Sequence, residues 1–316
     1  VDLAMIHDSG GPRRVAPILK ELKSSIFDPS KVVLISDHYV SSGTSEGNEI
    51  LEFTRKWARQ EKVPFYDGEG ICHVVLPERG HLSPGMLVVG GDSHSPTGGA
   101  FGAYMFGIGA TEMAGVLATG EIWIKVPKTI FLNWSGRLRP AVMAKDVMLF
   151  LCRKLGMDGG RYQAIEFSGN AISQLTIQAR MTLSNMAAEL GAQVGLIAPD
   201  KKTEHYLRSV GKDPGNWEKL FTEIEADGVE RHNFDASGLE PQVAAPHSPS
   251  NSSSISEIEK INCDVAYIGA CTGAKYTDLK AAATILKDRT AASTVKLMVA
   301  PASLRDQDKA EASGIM

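Results

Sequence analysis

The feature that most constrains the fold is the alternation, along the whole chain, of short apolar runs with longer stretches of helical periodicity. Residues 31–35 form an apolar run rich in β-branched side chains, and residues 48–60 then repeat apolar groups at helical spacing. Residues 86–89 form another apolar run, and a helical pattern follows at 111–119. Strands that alternate with helices in this way predict an α/β fold with mostly parallel sheets.

The alternation restarts twice, and 316 residues exceed what a single core usually organises. After Pro127 the predicted strands and helices are, in chain order, 129–132, 141–155, 164–167, 176–190, 194–197 and 203–210. Residues 241–254 are rich in Pro and Ser and read as a connector without regular structure. The last predicted elements are a strand at 264–269, a helix at 278–287, a strand at 295–300 and a helix at 304–312. We therefore expect three α/β domains, at 1–127, 128–239 and 240–316.

Composition and charge narrow the class of protein. With 43% apolar and 22% charged residues, the chain has the composition of a soluble globular protein. Its net charge of −4, with Lys and Arg scattered, offers no basic surface for nucleic acid. No apolar run is long enough to cross a bilayer. We expect a cytoplasmic protein with neither a nucleic-acid nor a membrane partner.

The termini and the cysteines add two further expectations. Residues 1–6 already read as a strand and residues 314–316 as a break after a helix, so we expect a fragment that lacks the end of its last domain. The four cysteines are widely separated and include no C-x-x-C pair. Reduced thiols are therefore favoured over a disulfide framework.

Groups able to transfer protons or hold a metal follow three of the predicted strands. Asp37 and His38 follow the first, Asp92 and His94 follow the second, and Cys271 follows a strand in the last part of the chain. In open α/β sheets the ligand crevice lies beyond the carboxyl ends of the strands. If the three strand ends face one cleft, two carboxylates, two imidazoles and a thiol converge there. Such a set suits proton transfer around a metal.

Each group also has a plain structural interpretation. A histidine after a strand is often structural, and a single thiol such as Cys271 is often a buried apolar residue. Asp92, Ser93 and His94 do not form a hydrolase triad, because consecutive side chains on an extended chain project in opposite directions. The Gly-rich residues 98–109 lack nucleotide-loop spacing and favour a closely packed helix start.

Four further residues are ambiguous one at a time. Asn185 and Glu189 stand four residues apart in the predicted helix 176–190, so we expect them on one helix face. His7 follows the opening strand, and His73 follows a Gly-Ile-Cys sequence.

Together these segments resemble the aconitase superfamily, in the chain order in which that family presents them. The most specific matching segments are Gly90-Gly91-Asp92-Ser93-His94-Ser95-Pro96-Thr97-Gly98-Gly99 and Tyr267-Ile268-Gly269-Ala270-Cys271-Thr272-Gly273. Residues 121–127 and Thr97 look more like the isopropylmalate and homoaconitate isomerases than the citrate enzyme. The resemblance implies three-layer α/β/α units of the aconitase iron–sulfur domain type.

The resemblance also implies an activity, a cofactor and a partner. Family members are hydro-lyases that move a hydroxyl between adjacent carbons of a small 2-hydroxy di- or tricarboxylic acid through an alkene. They use a four-iron, four-sulfur cluster held by three cysteines, with one iron open to substrate. Cys271 matches the first ligand, and the other two are expected outside this chain. The serine base and a substrate-binding arginine belong to a swivelling domain, which in two-subunit members is a separate small subunit.

The residue roles carried over from the family are expectations of the same kind. His38, paired with Asp37, would protonate the departing hydroxyl. His73, Asp92 and His94 would arrange water at the open iron, and Glu189 would orient His94. The remaining matched positions are Asn185 near the cluster and His7, Asp8 and Ser93 facing the substrate.

Two alternatives remain open at this point. Gly273 stands where many family members have Asn, and no C-x-x-C occurs in the chain. Gly273 bears on the cluster environment and the identity of the substrate, and the absent C-x-x-C supports a cluster-free binding or regulatory protein that retains the fold. A hydratase that uses a single metal ion on its His and Asp groups is the other alternative.

Overall fold

The chain forms two compact units in a computed structural model, which describes residues 1–40, 42–220 and 229–316. The first unit comprises Val1–Lys128 and Ala198–Ala226, and the second comprises Thr129–Ile197 and Asp227–Met316. The finer division into three domains stays a prediction, and residues 221–228 of its second part lie outside the described residues.

Parallel sheets dominate both units, which confirms the predicted α/β class. The strands are β1 Leu3–His7, β2 Val32–Ser36, β3 Phe65–Asp67, β4 Leu87–Gly90, β5 Tyr104–Gly107, β6 Thr129–Ser135, β7 Ala164–Ser168, β8 Val194–Ile197, β9 Glu230–Asp235, β10 Gln242–Ala244, β11 Ser252–Ser254, β12 Val265–Ile268 and β13 Lys296–Val299. The helices are α1 Pro12–Glu21, α2 Ser45–Glu61, α3 Cys72–Glu78, α4 Ala110–Thr119, α5 Ala144–Leu155, α6 Asn170–Gln174, α7 Ile177–Met186, α8 Lys201–Ser209, α9 Tyr276–Leu286 and α10 Leu304–Ala312.

The first unit is built on a five-stranded parallel sheet in the order β3-β2-β1-β4-β5. Ala4 of β1 lies opposite Val32 on one side and Val89 on the other. Every residue of β1 and β2 is buried, as expected for central strands covered on both faces. The strand order reverses between β1 and β4, which is where α/β sheets of this kind open a crevice.

Local sequence fixes the helices that flank this sheet. α1 begins at Pro12, whose ring supplies the helical φ angle at a position that needs no amide donor. α2 begins after Thr44, whose hydroxyl accepts a hydrogen bond from the Gly47 amide, and it ends at Lys62 in the left-handed conformation. Ile6, Leu34, Val89, Phe106 and Met113 belong to the core that α1, α2 and α4 complete.

The second unit contains a four-stranded parallel sheet in the order β8-β7-β6-β9. Trp134 of β6 and Phe167 of β7 pack with Leu151 of α5 and Leu183 of α7 in its core. Two smaller sheets complete the described part of this unit. β10 pairs antiparallel with β11, and β12 pairs parallel with β13.

The prediction that residues 241–254 lack regular structure was wrong. Gln242–Ala244 and Ser252–Ser254 form an antiparallel pair, with Val243 opposite Ser253. The polar composition is satisfied by specific bonds: the Gln242 amide donates to Asp146, and the Ser252 hydroxyl donates to the Leu149 carbonyl. A serine-rich segment is therefore held to α5 by hydrogen bonds, where the sequence indicated only an exposed connector.

The predicted helix 176–190 is shorter than expected. It begins after Thr176, whose hydroxyl accepts from the Ala179 amide, but it ends at Met186. The amides of residues 188–190 bond carbonyls three residues back, which tightens the chain into turns. Glu189 therefore lies outside the helix, and the prediction that it shares a helix face with Asn185 was wrong.

Gly107 offers a test of how closely the first unit is packed. A Cβ at Gly107 would lie 2.5 Å from the carbonyl oxygen of Asp92, whereas a Cβ at Gly115 in α4 would meet nothing within 4 Å. We expect Gly107→Ala to lower the free energy of unfolding by about 1–3 kcal/mol, because backbone must move. We expect Gly115→Ala to be neutral or to stabilise by up to about 1 kcal/mol. Urea unfolding followed by circular dichroism measures both, and equal effects of the two variants would contradict the close approach.

Candidate active site

The candidate site of the first unit lies at the carboxyl ends of three neighbouring strands. β1 ends at His7 and is followed by Asp8, β2 is followed by Asp37 and His38, and β4 is followed by Gly91 and Asp92. Since β1 lies between β2 and β4, the groups meet at the point where the strand order reverses. The polar groups after β2 and β4 therefore lie at one edge of the same sheet, whereas their convergence with Cys271 in one cleft stays a prediction.

Asp37 and His38 form a tight pair. His38 Nδ1 donates to Asp37 Oδ1 at 2.6 Å, and Asp37 Oδ2 accepts the backbone amide of Cys72 at 2.7 Å. The Asp37 side chain is 5% exposed, whereas that of His38 is 41% exposed. The carboxylate thus fixes the ring from the protein side, and Nε2 is left as the nitrogen that can exchange a proton with a bound molecule.

The two partners shift each other's pKa in opposite directions. The hydrogen bond to Asp37 raises the pKa of His38 above its usual value, against a smaller lowering by burial, and the charges of Asp8 and Asp92 add to the rise. Burial raises the pKa of Asp37, but the bonds from His38 and the Cys72 amide outweigh it and leave that pKa below its usual value. The pair therefore favours an imidazolium beside a carboxylate, as a general acid requires.

Asp92 organises a second cluster. Its Oδ1 accepts from His73 Nε2 at 2.7 Å and from the backbone amide of His94 at 2.8 Å. The rings of His73 and His94 meet edge to face with centroids 6.3 Å apart. Ser93 follows with its hydroxyl 3.4 Å from His94 Nδ1. One carboxylate therefore fixes a buried imidazole and the backbone that carries a second, more exposed one.

Asp92 is ionised in this setting. Burial raises its pKa, but the hydrogen bond and charge of His73 and the amide of His94 outweigh burial and hold the pKa far below its usual value. Because an ionised carboxylate only accepts, His73 Nε2 carries the proton. Within the described residues, His73 Nδ1 is buried and has no hydrogen-bond partner.

His7 and Asp8, at the end of β1, connect the Asp37–His38 pair with the cluster around Asp92. Asp8 is completely buried, and it accepts the backbone amides of Asp37, His38 and Tyr39. His7 Nε2 lies 2.9 Å from the carbonyl oxygen of Gly91, and its ring stacks on that of His38. The predicted residues of the first unit are thus brought into one connected group.

The second unit carries Cys271 on the turn between β12 and α9. Asn185 Nδ2 lies 3.4 Å from Cys271 Sγ. That Asn185 lies near a cluster stays a prediction. Lys275, which is fully buried, donates from Nζ to the Cys271 carbonyl and to Thr182 Oγ1, each at 3.0 Å. Lys275 and Thr182 escaped sequence reasoning, because a lysine near a helix start reads as exposed. The only available signal was its spacing of four residues after Cys271.

The thiols differ in their fitness as metal ligands. Burial, together with the charge of Glu189, raises the pKa of Cys152 to about 12, so this thiol stays protonated. Cys72 is buried in the first unit, and Cys263 is exposed with its thiol directed at the Val265 carbonyl. Cys271 is half-buried beside an amide, which suits a ligand at the edge of a cavity. That Cys271, Asn185 and Glu189 share a pocket with the imidazoles of the first unit stays a prediction.

Comparison with known proteins supplies the family. The model of the aconitase family (aconitate hydratase) matches residues 22–260 and 253–316. The chain belongs to the aconitase family.

Three relatives of the aconitase-family chain carry two kinds of name. It is 41% identical over 305 residues to a "Probable 3-isopropylmalate dehydratase large subunit" of Methanothermobacter thermautotrophicus, covering 96% of this chain and 72% of that protein. It is 41% identical over 305 residues to a "Probable methanogen homoaconitase large subunit" of Methanosarcina mazei, covering 96% and 77%. A "3-isopropylmalate dehydratase large subunit 1" of Archaeoglobus fulgidus is 41% identical over 319 residues, covering 100% and 76%.

These matches confirm the resemblance drawn from the sequence motifs, and with it the prediction of an enzyme of the hydro-lyase class. None of the helices in the described part of this aconitase-family chain is both long and apolar enough to span a membrane.

The Asp37–His38 pair yields a prediction about pH. We expect Asp37→Asn to lower the pKa of His38, because its strongest stabilising partner loses its charge. The pair's contribution to the free energy of unfolding is lost as pH falls through the lowered pKa of Asp37 and as pH rises through the raised pKa of His38. The deficit of the variant should therefore be largest between these two values.

NMR titration of the His38 ring and urea unfolding at several pH values measure both effects. Asp28→Asn is the matched control, since Asp28 is an exposed carboxylate that caps a short 3₁₀ helix. An unchanged His38 titration in Asp37→Asn would contradict the assigned pairing.

Proposed function

We propose that this chain is the large subunit of a hydro-lyase that moves a hydroxyl between adjacent carbons of a small 2-hydroxy di- or tricarboxylic acid. The isopropylmalate and homoaconitate classes fit best, since the relatives carry those names. The observation that carries the proposal is the meeting of two Asp–His pairs at the strand-order reversal of the first unit.

His38 acts as the general acid in the proposed reaction. It gives a proton to the departing hydroxyl, which leaves as water when the C–O bond breaks, while a base removes the proton from the neighbouring carbon and a C=C bond forms. Asp37 keeps the ring protonated and oriented before the transfer and stabilises its charge. Addition of water in the opposite orientation completes the shift of the hydroxyl.

His73, Asp92 and His94 handle the water in this scheme. The ionised Asp92 accepts a hydrogen bond from His73 Nε2, which orients that ring, and another from the backbone amide of His94, which holds the turn that carries His94. Ser93, which is exposed beside His94, is proposed to face the substrate. The motif resemblance suggests the same role for His7 and Asp8, although both are buried. Glu189 is proposed to orient His94.

The cofactor of the proposed enzyme is a four-iron, four-sulfur cluster. The described residues fit one corner of it: Cys271 supplies a thiolate, and Asn185 lies against that sulfur. One thiolate does not hold such a cluster, so the two further ligands are proposed to come from outside these 316 residues. When bound, the cluster would supply a Lewis acid that polarises the substrate hydroxyl.

The proposed partner is a small subunit that carries the swivelling domain. The relatives are named large subunits, which supports a two-subunit enzyme. This partner would supply the base that removes the carbon-bound proton and the arginine that binds a substrate carboxylate.

A second candidate is a hydratase that uses a single divalent ion. His73, Asp92 and His94 each offer a ligand atom, and these atoms lie within 4.8 Å of one another. A His–Asp–His set of this kind suits metals that bind water. Isothermal titration with Zn²⁺ or Mn²⁺ separates the candidates: micromolar binding that is lost in Asp92→Asn favours the single ion.

The role of His38 is tested by substitution in the assembled enzyme. We expect His38→Ala to lower kcat about 10²–10⁴-fold with little loss of stability, because a general acid contributes by that amount. His205→Ala is the control, since His205 is exposed on α8. Turnover of isopropylmalate or homocitrate is followed by absorbance of the alkene intermediate. Activity of His38→Ala equal to that of the control would refute the assignment.

The cluster is tested by iron content after anaerobic reconstitution. We expect full-length wild-type protein, in which the two further ligands are present, to gain a broad visible band and about four irons per chain, the number that the cluster type defines. Cys271→Ser should lose both, whereas Cys263→Ser should keep them, because Cys263 is exposed and bonded to a local carbonyl. A wild-type protein that stays colourless would support the cluster-free alternative.

A further inference from the structure

We propose that Asp8, assisted by His7, is a positioning residue that holds the His38-bearing turn and makes no contact with substrate. The proposal rests on the proposed function for its kinetic test and departs from the substrate-facing role that the motif resemblance suggests for Asp8. It concerns how the general acid is kept in place.

Three consecutive backbone amides bind the carboxylate of Asp8. Oδ1 accepts from Asp37 at 3.3 Å and from His38 at 3.1 Å, and Oδ2 accepts from Tyr39 at 2.8 Å. The residue is 0% exposed. A second anion from a substrate would be repelled by this charge and would find no accessible surface on it. The contacts therefore fit a carboxylate that fixes a turn.

His7 supports the same turn through its ring. Because the carbonyl oxygen of Gly91 can only accept, His7 Nε2 donates to it at 2.9 Å. The ring lies 4.4 Å from that of His38, centroid to centroid, with 23° between the planes. His7 is 4% exposed. The ring of His7 therefore packs flat against the ring of His38.

His7, the last residue of β1, and Asp8, which follows it, therefore connect the polar groups after the two neighbouring strands, β2 and β4. Asp8 binds the turn after β2, and His7 binds Gly91 after β4. The groups that face His38 are Asp37 and Asp8 by contact, Asp92 through its charge, and His7 through its ring. The distance between the acid and the Asp92 cluster is thus set by β1.

The test uses Asp8→Asn in the assembled enzyme. The amide side chain has one acceptor oxygen, so it loses at least one of the three backbone bonds. We expect kcat to fall about 10–100-fold, as a displaced catalytic group does, with KM changed less than about threefold. A rise in KM at unchanged kcat would show substrate contact and overturn the proposal. The pH profile of kcat should also shift, because His38 loses a neighbouring negative charge.

Asp2→Asn is the matched control. Asp2 also accepts a backbone amide, that of Leu87 at 2.8 Å, but it does so at the opposite end of the sheet. This variant should leave kcat, KM and the pH profile unchanged. Equal kinetic losses in Asp2→Asn and Asp8→Asn would reduce Asp8 to a general stabiliser and overturn the proposal.

Two further measurements keep the outcome decisive. If Asp8→Asn fails to fold, His7→Phe keeps a flat ring and removes the bond to Gly91; it should lower kcat at constant KM, and a rise in KM alone would overturn the proposal. NMR titration of His38 in Asp8→Asn needs no turnover, and an unchanged titration would count against the holding role. If the wild-type enzyme shows no turnover but the His38 titration shifts in Asp8→Asn, the proposed reaction is rejected and the holding role of Asp8 is retained.

Discussion

The first unit depends on the position of β1 at the centre of a parallel sheet. β1 pairs with β2 on one side and β4 on the other, and the strand order reverses beside it. Neighbouring parallel strands end at the same edge of the sheet. His38, 30 residues after Asp8, and Gly91, 84 residues after His7, are therefore brought to the end of β1. Backbone pairing therefore brings together groups that local sequence keeps far apart.

The three carboxylates of this site are buried, and their hydrogen bonds determine its acid–base properties. Asp8, Asp37 and Asp92 are all largely withdrawn from water, which by itself would favour their protonated forms. Each instead receives hydrogen bonds from backbone amides, and two of them also bind a histidine. Hydrogen bonds from His38 and His73, together with those from the amides, hold the pKa values of Asp37 and Asp92 low, and these two carboxylates in turn orient their histidines. The turns after β2 and β4 thus hold acid–base groups ready before a ligand arrives.

The sequence predicted the α/β class and the strand-end location of the site, because apolar periodicity and polar residues after strands are local signals. It failed where the outcome depends on distant partners. The Ser-rich residues 241–254 form strands because Asp146 and the Leu149 carbonyl accept their hydrogen bonds. Lys275 is buried because Asp278 pairs with its charge while Thr182 and the Cys271 carbonyl accept hydrogen bonds from its Nζ. Asp146, Leu149 and Thr182 lie 96, 103 and 93 residues from the groups that they bind, so no window of periodicity contains both partners.

Sequence motifs and side-chain geometry give different information about a site. The resemblance of the sequence motifs predicts which positions matter, and it includes Asp8 and His7 among them. It does not say whether a carboxylate touches substrate or the protein's own backbone. Burial and the number of donors around each oxygen decide between these roles, because a fully buried anion with three amide donors has no surface left for a second anion. A residue can therefore be indispensable to an acid–base site while acting only through the turn that it holds.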